Sequence, residues 1–272
     1  MSAPPSYLMG HTDHERRRLG LQAEILNPLT EEFFVRAGVS QGMRILDLGC
    51  GIGDVALIAA RLAGPRGQVV AVDMDGDALK IAQTRAADAG LEQIRFEQAK
   101  VAEYHAREPY DAVVGRHILI HTPDPLAILR HVTTQVRPGG IVAFEEYDLS
   151  RFYPNTPAKP LYEKTFQLFV DFFTRVTHAD IGLRLLQLFR DVGLQNVQSR
   201  AEFMLDGGPD CLYYEWVAET VRSIIPKLEA LGIATAKEID VDTLAERLKA
   251  EALSVGGYLA TPVVVGTFGY RQ

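Results

Sequence analysis

The chain has 272 residues, 47% of them hydrophobic, so it is long enough to bury one large core. Its net charge of -7 and its lack of a long apolar run lead us to expect no nucleic-acid partner and no membrane span. Cys50 and Cys211 have neither paired nor metal-like spacing, so they predict neither a disulfide framework nor a zinc site, and we expect a reducing, cytoplasmic location.

The first predicted element is a helix that begins near Asp13. Thr12 and Glu15 have the spacing of a capping box, which satisfies backbone N–H groups at a helix start. His11 and His14 lie three residues apart and could ligate a metal from the end of the helix. The capping box explains the same stretch without a metal, so we expect none.

Short runs rich in β-branched residues then alternate with helical patterns. Continuous apolar runs are typical of parallel strands that helices cover on both faces, so the alternation predicts a doubly wound α/β fold. Between the third and fourth strands the chain has room only for a short helix. The predicted strands are residues 43–49, 67–74, 94–99, 110–115 and 139–148, and the predicted helices are residues 54–64, 76–90 and 124–140.

The pattern becomes mostly helical beyond Asp148. Two amphipathic helices, a strand, a helical segment and a last strand follow in the order 160–176, 181–193, 195–205, 209–256 and 261–272. No linker-like stretch separates these parts, so residues 1–272 are predicted to form a single domain. We expect it to contain an N-terminal helical lid (1–40), a cofactor-binding core (41–148) and an acceptor-side part with a helical cap (149–272).

The stretch "RILDLGCGIGD" runs from a strand into a glycine-rich turn that opens a helix, a general device for holding nucleotides. A dinucleotide fingerprint would need a glycine where Asp54 stands. Carboxylates at Asp47 and Asp54 would repel a pyrophosphate but suit a ligand with an ammonium and a sulfonium group. Asp73, at the end of the next strand, can accept hydrogen bonds from ribose hydroxyls. Adenosine combined with positive charge indicates S-adenosylmethionine.

Four motifs in this order carry a family resemblance. They are "ILDLGCGIGD", "VVAVDMDGDAL", "YDAVVGRHILIHTPDP" and "QVRPGGIVAFEEYD". Together they resemble class I S-adenosylmethionine-dependent methyltransferases, in particular the small-molecule group that includes the ubiquinone and menaquinone biosynthesis methyltransferases. The resemblance covers about residues 44–148, and the terminal "PVVVGTFGYRQ" resembles the last strand of the group. It implies a Rossmann-like, mostly parallel sheet of seven strands with helices on both faces.

The resemblance also implies which residues hold the cofactor. The backbone of residues 49–51 would run alongside the methionine part of S-adenosylmethionine, and Asp47 would lie near the amino group of the cofactor. Asp73 would hold the ribose, with Met74 stacked on the adenine. Lys100 stands where the family usually has an acidic residue that binds the adenine amino group, so backbone groups there are expected to take over. The complete cofactor set is Tyr7, Gln22, Asp47, Gly49, Cys50, Gly51, Asp73, Met74, Lys100, Val101 and Arg116.

The catalytic candidates lie at the ends of the fourth and fifth strands. His121 matches the second histidine of the family's frequent "HHLPDP" pattern, and it is equally a candidate base and a structural hydrogen-bond donor. Glu146 and Tyr147 end the fifth strand, where the alternation of side chains places them on opposite faces. Cys50 is a candidate nucleophile, although a small residue between two glycines is more often there for its size.

The leading hypothesis is an enzyme that transfers a methyl group from S-adenosylmethionine to a small organic acceptor by in-line displacement, giving S-adenosylhomocysteine. In related methyltransferases an N-terminal segment folds over the cofactor, and Tyr7 and Gln22 are the predicted contacts of such a lid. The alternatives are an S-adenosylmethionine-binding protein without transferase activity and a nicotinamide-dependent reductase, which the missing last glycine and the flanking carboxylates disfavour. The acceptor, the methylated atom, the need for a base and the choice between monomer and homodimer stay open.

Overall fold

The computed structural model describes residues 13–151 and 155–272, which fall into two compact units. The larger unit comprises residues 26–147, 181–201 and 264–272, and the smaller unit comprises the described residues within 1–25, 148–180 and 202–263. Within the described ranges, no helix combines the length and the apolar character that crossing a membrane requires. The arrangement as a single domain with a lid and a cap stays a prediction.

The strands and helices of the described chain are as follows. The strands are β1 (Arg44–Leu48), β2 (Gln68–Asp73), β3 (Ile94–Gln98), β4 (Tyr110–Arg116), β5 (Val136–Asp148), β6 (Gln195–Glu202), β7 (Leu205–Asp206), β8 (Leu259–Ala260) and β9 (Val263–Tyr270). The helices are α1 (Asp13–Ala37), α2 (Asp54–Ala63), α3 (Gly76–Asp88), α4 (Pro125–Thr134), α5 (Pro160–Val176), α6 (Ile181–Asp191), α7 (Tyr213–Ala230), α8 (Ala236–Ile239) and α9 (Val241–Val255).

A seven-stranded sheet forms the centre of the larger unit. Its strand order is β3-β2-β1-β4-β5-β9-β6, and the neighbouring strands from β3 to β5 pair in parallel. Strands β1, β2 and β4 are buried along most of their length, which is typical of parallel strands covered on both faces. The predicted α/β fold with a mostly parallel sheet is confirmed.

Most of the predicted elements occur where the sequence places them. Helix α1 begins at Asp13, although the predicted cap Thr12 lies outside the described residues. Between β3 and β4 the chain forms only a short 3-10 helix, Val101–Glu103, because too few residues are available for a longer one.

The boundary between α4 and β5 differs from the prediction. The helix predicted for residues 124–140 ends at Thr134, and β5 begins at Val136. Pro138 cannot continue a helix, and Val136 pairs with Tyr110 at the start of β4. The sheet therefore takes the residues that the apolar periodicity assigned to the helix.

Helices α5, α7 and α9 pack together in the smaller unit. Their aromatic side chains are buried, so the helical spacing of these residues reflects core packing. The buried aromatic residues are Phe166, Phe169, Phe172, Phe173, Tyr213, Tyr214 and Trp216. The strand predicted for residues 195–205 ends at Glu202, and Leu205 begins β7, which pairs antiparallel with β8. A ladder of two residues per strand has no periodicity that a sequence pattern could reveal.

Candidate functional site

Two loops follow neighbouring strands at the carboxyl edge of the sheet. Residues 49–53, called the glycine loop, follow β1, and residues 117–121, called the histidine loop, follow β4. From β1 the sheet continues to β2 on one side, and from β4 it continues to β5 on the other, so the strand order reverses between them. Open α/β sheets bind ligands in the crevice outside such a reversal.

The glycine loop needs backbone conformations that other residues rarely adopt. Gly49, Gly51 and Gly53 have φ angles of 68°, 51° and 91°. A Cβ atom on Gly49 would lie 2.4 Å from Cδ1 of Ile118, and one on Gly53 would lie 2.9 Å from Cβ of Ala82. A Cβ atom on Gly51 would meet nothing within 4 Å. The backbone at Gly51 therefore borders open space in which a ligand can approach it.

Asp73 holds the glycine loop from the end of β2. Its Oδ2 accepts a hydrogen bond from the Gly51 N–H at 2.8 Å, and its Oδ1 accepts one from the Asp75 N–H at 2.9 Å. A carboxylate has about four lone-pair positions, so both oxygens can accept a further donor. Ribose hydroxyls are donors of this kind, and the ribose role of Asp73 stays a prediction.

Asp47 is a buried carboxylate on β1. It is 1% exposed, and none of the described residues forms a hydrogen bond of ordinary geometry with either of its oxygens. Burial raises the pKa of Asp47 to about 8, and the charges of Asp73 and Asp54 act in the same direction, whereas the charge of Arg116 and a contact with the Ala56 N–H oppose the shift. A buried carboxylate without a well-formed hydrogen bond is costly, so this position favours a ligand that brings a cationic donor.

Asp54 does not present the unbalanced charge that the sequence suggested. Its Oδ1 accepts a hydrogen bond from Nη2 of Arg85 at 2.6 Å, and the same guanidinium donates to the Ile52 carbonyl oxygen at 2.6 Å. Arg85 therefore offsets part of the charge of Asp54, and the repulsion of a pyrophosphate by this carboxylate is weaker than the sequence suggested. The partner was missed because Arg85 lies on α3, an element away from the motif.

Cys50 is buried within the glycine loop. Burial raises the pKa of its thiol well above the ordinary value, and the negative charges of Asp47 and Asp73 act in the same direction. A thiol that stays protonated is a poor nucleophile. The structure therefore favours a small residue chosen for its size over a catalytic cysteine.

The residues predicted to surround the adenine follow β2 and β3 at the same edge. Met74 is 51% exposed directly after β2, which leaves an apolar surface open for stacking. The Ala99 N–H donates to the Asp73 carbonyl oxygen at 3.0 Å, so the segment that carries Lys100 runs beside Asp73. The Lys100 ammonium pairs with Glu103 at 3.0 Å on the surface, and Val101 begins the 3-10 helix.

Arg116, at the end of β4, is tied to the helix α1. Its Nη1 donates to Oδ1 of Asn27 at 3.0 Å and to Oγ1 of Thr30 at 2.9 Å. Its charge also lowers the pKa of Asp47 against the effect of burial. Arg116 therefore acts on the site through its electrostatic effect on Asp47. A direct contact between Arg116 and the cofactor stays a prediction.

The predicted lid contacts belong to a different part of the chain. Gln22 lies in the smaller unit, where its Oε1 accepts a hydrogen bond from Nη1 of Arg18 at 2.7 Å. Arg18 also forms an ion pair with Glu15 at 2.7 Å. Tyr7 lies outside the described residues. The proposed cofactor contacts of Gln22 and Tyr7 stay predictions.

The histidine loop is held by a buried carboxylate. Glu146, on β5, is fully buried; its Oε1 accepts hydrogen bonds from the N–H groups of Ile118 and Leu119 at 2.9 and 2.6 Å, and Oε2 accepts one from Ile120 at 3.4 Å. Burial raises the pKa of Glu146 to about 8, although the three N–H groups act against this shift. These contacts fit a residue that positions the loop.

His117 begins the histidine loop in a strained conformation. Its φ angle is 55°, in the left-handed region that few residues other than glycine adopt. Its imidazole stacks on the ring of Tyr147, with centroids 3.9 Å apart and planes 15° apart. The next residue, Ile118, packs against Gly49, so the two loops are in direct contact.

His121 ends a short 3-10 helix, Leu119–His121, and is half-buried. Its N–H donates to the Ile118 carbonyl oxygen at 3.1 Å. Its predicted role as a base stays a prediction. His14 pairs with Glu219 at 3.2 Å, and His11 lies outside the described residues. Within the described ranges no three His, Cys, Asp or Glu residues converge as a metal site would require.

Sequence reasoning missed His117 and the loop-holding contacts of Glu146. Nothing in the motif "GRHILIH" indicates that its first histidine adopts a positive φ angle. One signal was present, because the polar run "EEYD" ends an otherwise apolar strand. Buried polar side chains are mostly hydrogen-bonded, so the run indicated a polar network at this edge.

Comparisons with known proteins agree with this picture. Residues 39–193 match a family model described as "Methyltransferase domain". Over 157 residues, 55% of this chain, the sequence is 32% identical to the ubiquinone biosynthesis O-methyltransferase of Albidiferax ferrireducens. The chain spans 61% of the length of that relative and about half of the length of other curated ubiquinone biosynthesis O-methyltransferases.

The fold is similar to that of solved structures with low sequence identity. The YcgJ protein of Bacillus subtilis superposes with a TM-score of 0.58 at 14% identity, covering 89% of this chain and 98% of that chain. The phosphoethanolamine N-methyltransferase 2 of Haemonchus contortus, solved with phosphomonomethylethanolamine and S-adenosylhomocysteine, has a TM-score of 0.51 at 17% identity and covers 86% of this chain and 50% of that chain. These two likenesses support the fold.

Proposed function

Because the chain belongs to the methyltransferase domain family, we propose that it transfers a methyl group from S-adenosylmethionine to a small organic acceptor, giving S-adenosylhomocysteine. The curated relatives are named O-methyltransferases of ubiquinone biosynthesis, which makes a hydroxyl group the first acceptor to test. The chain would use the carboxyl edge of the sheet, beside the glycine loop and the histidine loop, for this reaction.

The observation that carries the proposal is the buried carboxyl group of Asp47, which lacks a hydrogen bond of ordinary geometry and precedes the open backbone at Gly51 in the same motif. The ammonium group of S-adenosylmethionine would supply the cationic donor that Asp47 lacks. A pyrophosphate brings no cationic donor and would leave the Asp47 carboxyl group in the protonated form that burial favours. This contrast supports S-adenosylmethionine over a nicotinamide dinucleotide.

The other residues fit the remaining parts of the same ligand. Asp73 keeps acceptor positions for the ribose, Met74 offers an exposed apolar face for the adenine, and Gly51 lets the methionine part approach the backbone. S-adenosylmethionine supplies an electrophilic methyl group on a sulfonium. The chain's own contribution would be to hold donor and acceptor in line, which can account for much of the rate enhancement.

The test is the release of S-adenosylhomocysteine by the purified chain with S-adenosylmethionine and a panel of acceptors: catechol for a phenol, ethanolamine for an amine, 2-mercaptoethanol for a thiol and acetylacetone for a carbon acid. We expect release above background with at least one acceptor. The Asp73→Ala variant, which lacks the predicted ribose contact, is the matched control and should release far less. Binding of S-adenosylmethionine without release in the presence of any acceptor would favour the alternative of a binding protein.

A further inference from the structure

His117 is held in a conformation that its own side chain disfavours. Its φ angle is 55°, and the other non-glycine residues of the described chain with positive φ angles are Asn196 and Asp240, with 50° and 51°. Histidine, like asparagine and aspartate, enters the left-handed region more often than most residues, but the conformation still costs free energy. Such outliers persist only where the surrounding structure imposes them, and they concentrate at functional sites.

Several contacts impose this conformation. The His117 N–H donates to the Glu145 carbonyl oxygen at 2.8 Å, and Glu146 holds the N–H groups of the next residues. Gly182, at the start of α6, brings that helix against the backbone of β5; a Cβ there would lie 3.0 Å from the carbonyl oxygens of Glu146 and Tyr147. The loop and the strand beneath it are therefore fixed from both sides.

The contacts also fix where the imidazole lies. The ring of His117 stacks nearly parallel on Tyr147, which is itself buried. The neighbouring Ile118 packs against Gly49, the residue that opens the glycine loop. His117 therefore lies at the reversal of the strand order, one residue from the contact with the loop that would hold the methyl donor.

We infer that His117 is the catalytic residue that takes the proton of the methyl acceptor, an assignment that rests on the proposed methyl transfer. A lone pair of the acceptor oxygen or nitrogen forms the bond to the methyl carbon, and the electrons of the carbon–sulfur bond pass to sulfur, giving the neutral thioether. The acceptor's proton passes to a ring nitrogen of His117, and the resulting imidazolium returns it to water. Stacking on Tyr147 keeps the ring in one orientation for this transfer.

The experiment compares His117→Gly with Asn196→Gly. Glycine adopts φ angles near 50° without strain, so both variants keep the backbone and lose only a side chain. Asn196 lies on the edge strand β6, outside the site, and serves as the matched control. With the acceptor that wild type methylates, we expect His117→Gly to lose at least about 100-fold in turnover, as loss of a general base does, while Asn196→Gly keeps wild-type turnover.

Four further readouts separate a catalytic role of His117 from a structural one. The unfolding midpoints of both variants should equal or exceed that of wild type, and calorimetry should show an unchanged affinity of His117→Gly for S-adenosylhomocysteine. Calorimetry should also show weaker acceptor binding by His117→Gly in the presence of S-adenosylhomocysteine. Added imidazole should restore part of the turnover of His117→Gly and leave Asn196→Gly unaffected.

The outcomes distinguish this inference from the proposed function. If wild type and His117→Gly methylate the acceptor at the same rate, His117 is not the catalytic residue, and the proposed methyl transfer is still supported. Failure of imidazole to restore turnover, with the unfolding midpoint lowered, would also overturn it, because His117 would then be a structural residue. Absence of turnover by wild type with every acceptor would refute the proposed function, and the inference would fall with it.

Discussion

The glycine loop and the histidine loop follow neighbouring strands, yet different parts of the sequence determine their conformations. The glycine loop takes left-handed angles at Gly49, Gly51 and Gly53, where the residue type itself permits them. The histidine loop takes such an angle at His117, and Glu146, 28 positions from Ile118, holds the loop in place. A conformation encoded locally can be read from a motif, whereas one imposed by a distant side chain cannot.

The two loops should also respond differently to substitutions. Substitution in the glycine loop adds a Cβ atom where the backbone or a neighbour excludes it. Substitution at Glu146 leaves the histidine loop sterically free but removes the acceptor of its N–H groups. Variants that affect one loop at a time can therefore show how far the two depend on each other.

The largest effect is expected from Gly49→Ala, which should disturb both loops at once. The new Cβ would lie 2.4 Å from Ile118 at a φ angle of 68°, so either Ile118 or the glycine loop must move. We expect the unfolding free energy to fall by about 2–4 kcal/mol and S-adenosylmethionine affinity to fall on the order of 100-fold. Urea unfolding and calorimetry measure the two effects.

Gly42→Ala is the matched control for this variant. Gly42 has a φ angle of 83°, but a Cβ atom there would meet nothing within 4 Å. Its substitution should therefore cost only the backbone strain, about 1 kcal/mol, and leave the affinity unchanged. Equal losses in the two variants would show that the contact between Gly49 and Ile118 does not couple the loops.

Glu146→Ala is expected to have the next largest effect. It leaves the N–H groups of Ile118 and Leu119 without their acceptor in a buried region, which should lower the unfolding free energy by about 2–4 kcal/mol. Turnover should fall with it, because His117 loses the support of its loop. Urea unfolding checks the first effect. A stable Glu146→Ala variant with wild-type turnover would contradict the positioning role.

The fold and part of the site could be predicted because their signals are local. The alternation of apolar runs with helical patterns predicts the sheet. The spacing of the glycines with Asp47 and Asp73 predicts that a nucleotide-like ligand binds at the carboxyl edge of that sheet. Asp54 shows the limit of such reasoning, since Arg85, which lies on another helix, forms an ion pair with it. The end of α4 shows the same limit, because pairing of Val136 with Tyr110 outweighs the helical periodicity.

Asp73→Ala should weaken S-adenosylmethionine binding at least about tenfold, because charge-assisted bonds to two ribose hydroxyls contribute about 1.5–3 kcal/mol each. The neighbouring Asp75 caps α3, with Oδ1 accepting from the Asp77 N–H at 2.9 Å. Asp75→Ala is the matched control and should cost about 1 kcal/mol of stability without loss of affinity. If calorimetry gave both variants the wild-type dissociation constant, Asp73 would not contact the ligand.

The smallest effect is expected from Glu146→Gln, which imitates the protonated carboxyl group. Burial raises the pKa of Glu146 to about 8, above its unfolded value of about 4.5, so its protonated form stabilises the fold. That contribution is complete below pH 4.5 and is lost as the pH rises toward 8. The unfolding free energy of Glu146→Gln should therefore match that of wild type near pH 5 and should fall less than that of wild type between pH 5 and pH 8.

Asp47→Asn is a second test variant for the pH scan, since Asp47 has a similarly raised pKa and contributes a fall in stability of the same sign. Each variant should show a shallower decline than wild type in urea unfolding between pH 5 and 8, and neither should be flat. A Glu146→Gln profile parallel to that of wild type would show that the Glu146 carboxyl group is already ionised at pH 5 in the folded protein.

A calorimetric titration at pH 7, in two buffers with different heats of ionisation, shows whether the Asp47 carboxyl group selects S-adenosylmethionine. Asp47, with a pKa of about 8, carries a proton in the free protein at this pH and would lose it beside an ammonium group. Wild type should bind S-adenosylmethionine with release of close to one proton, Asp47→Asn should bind it more weakly without release, and NADH should not bind. Binding of NADH in place of S-adenosylmethionine, or proton release that persists in Asp47→Asn, would show that Asp47 does not select the ligand.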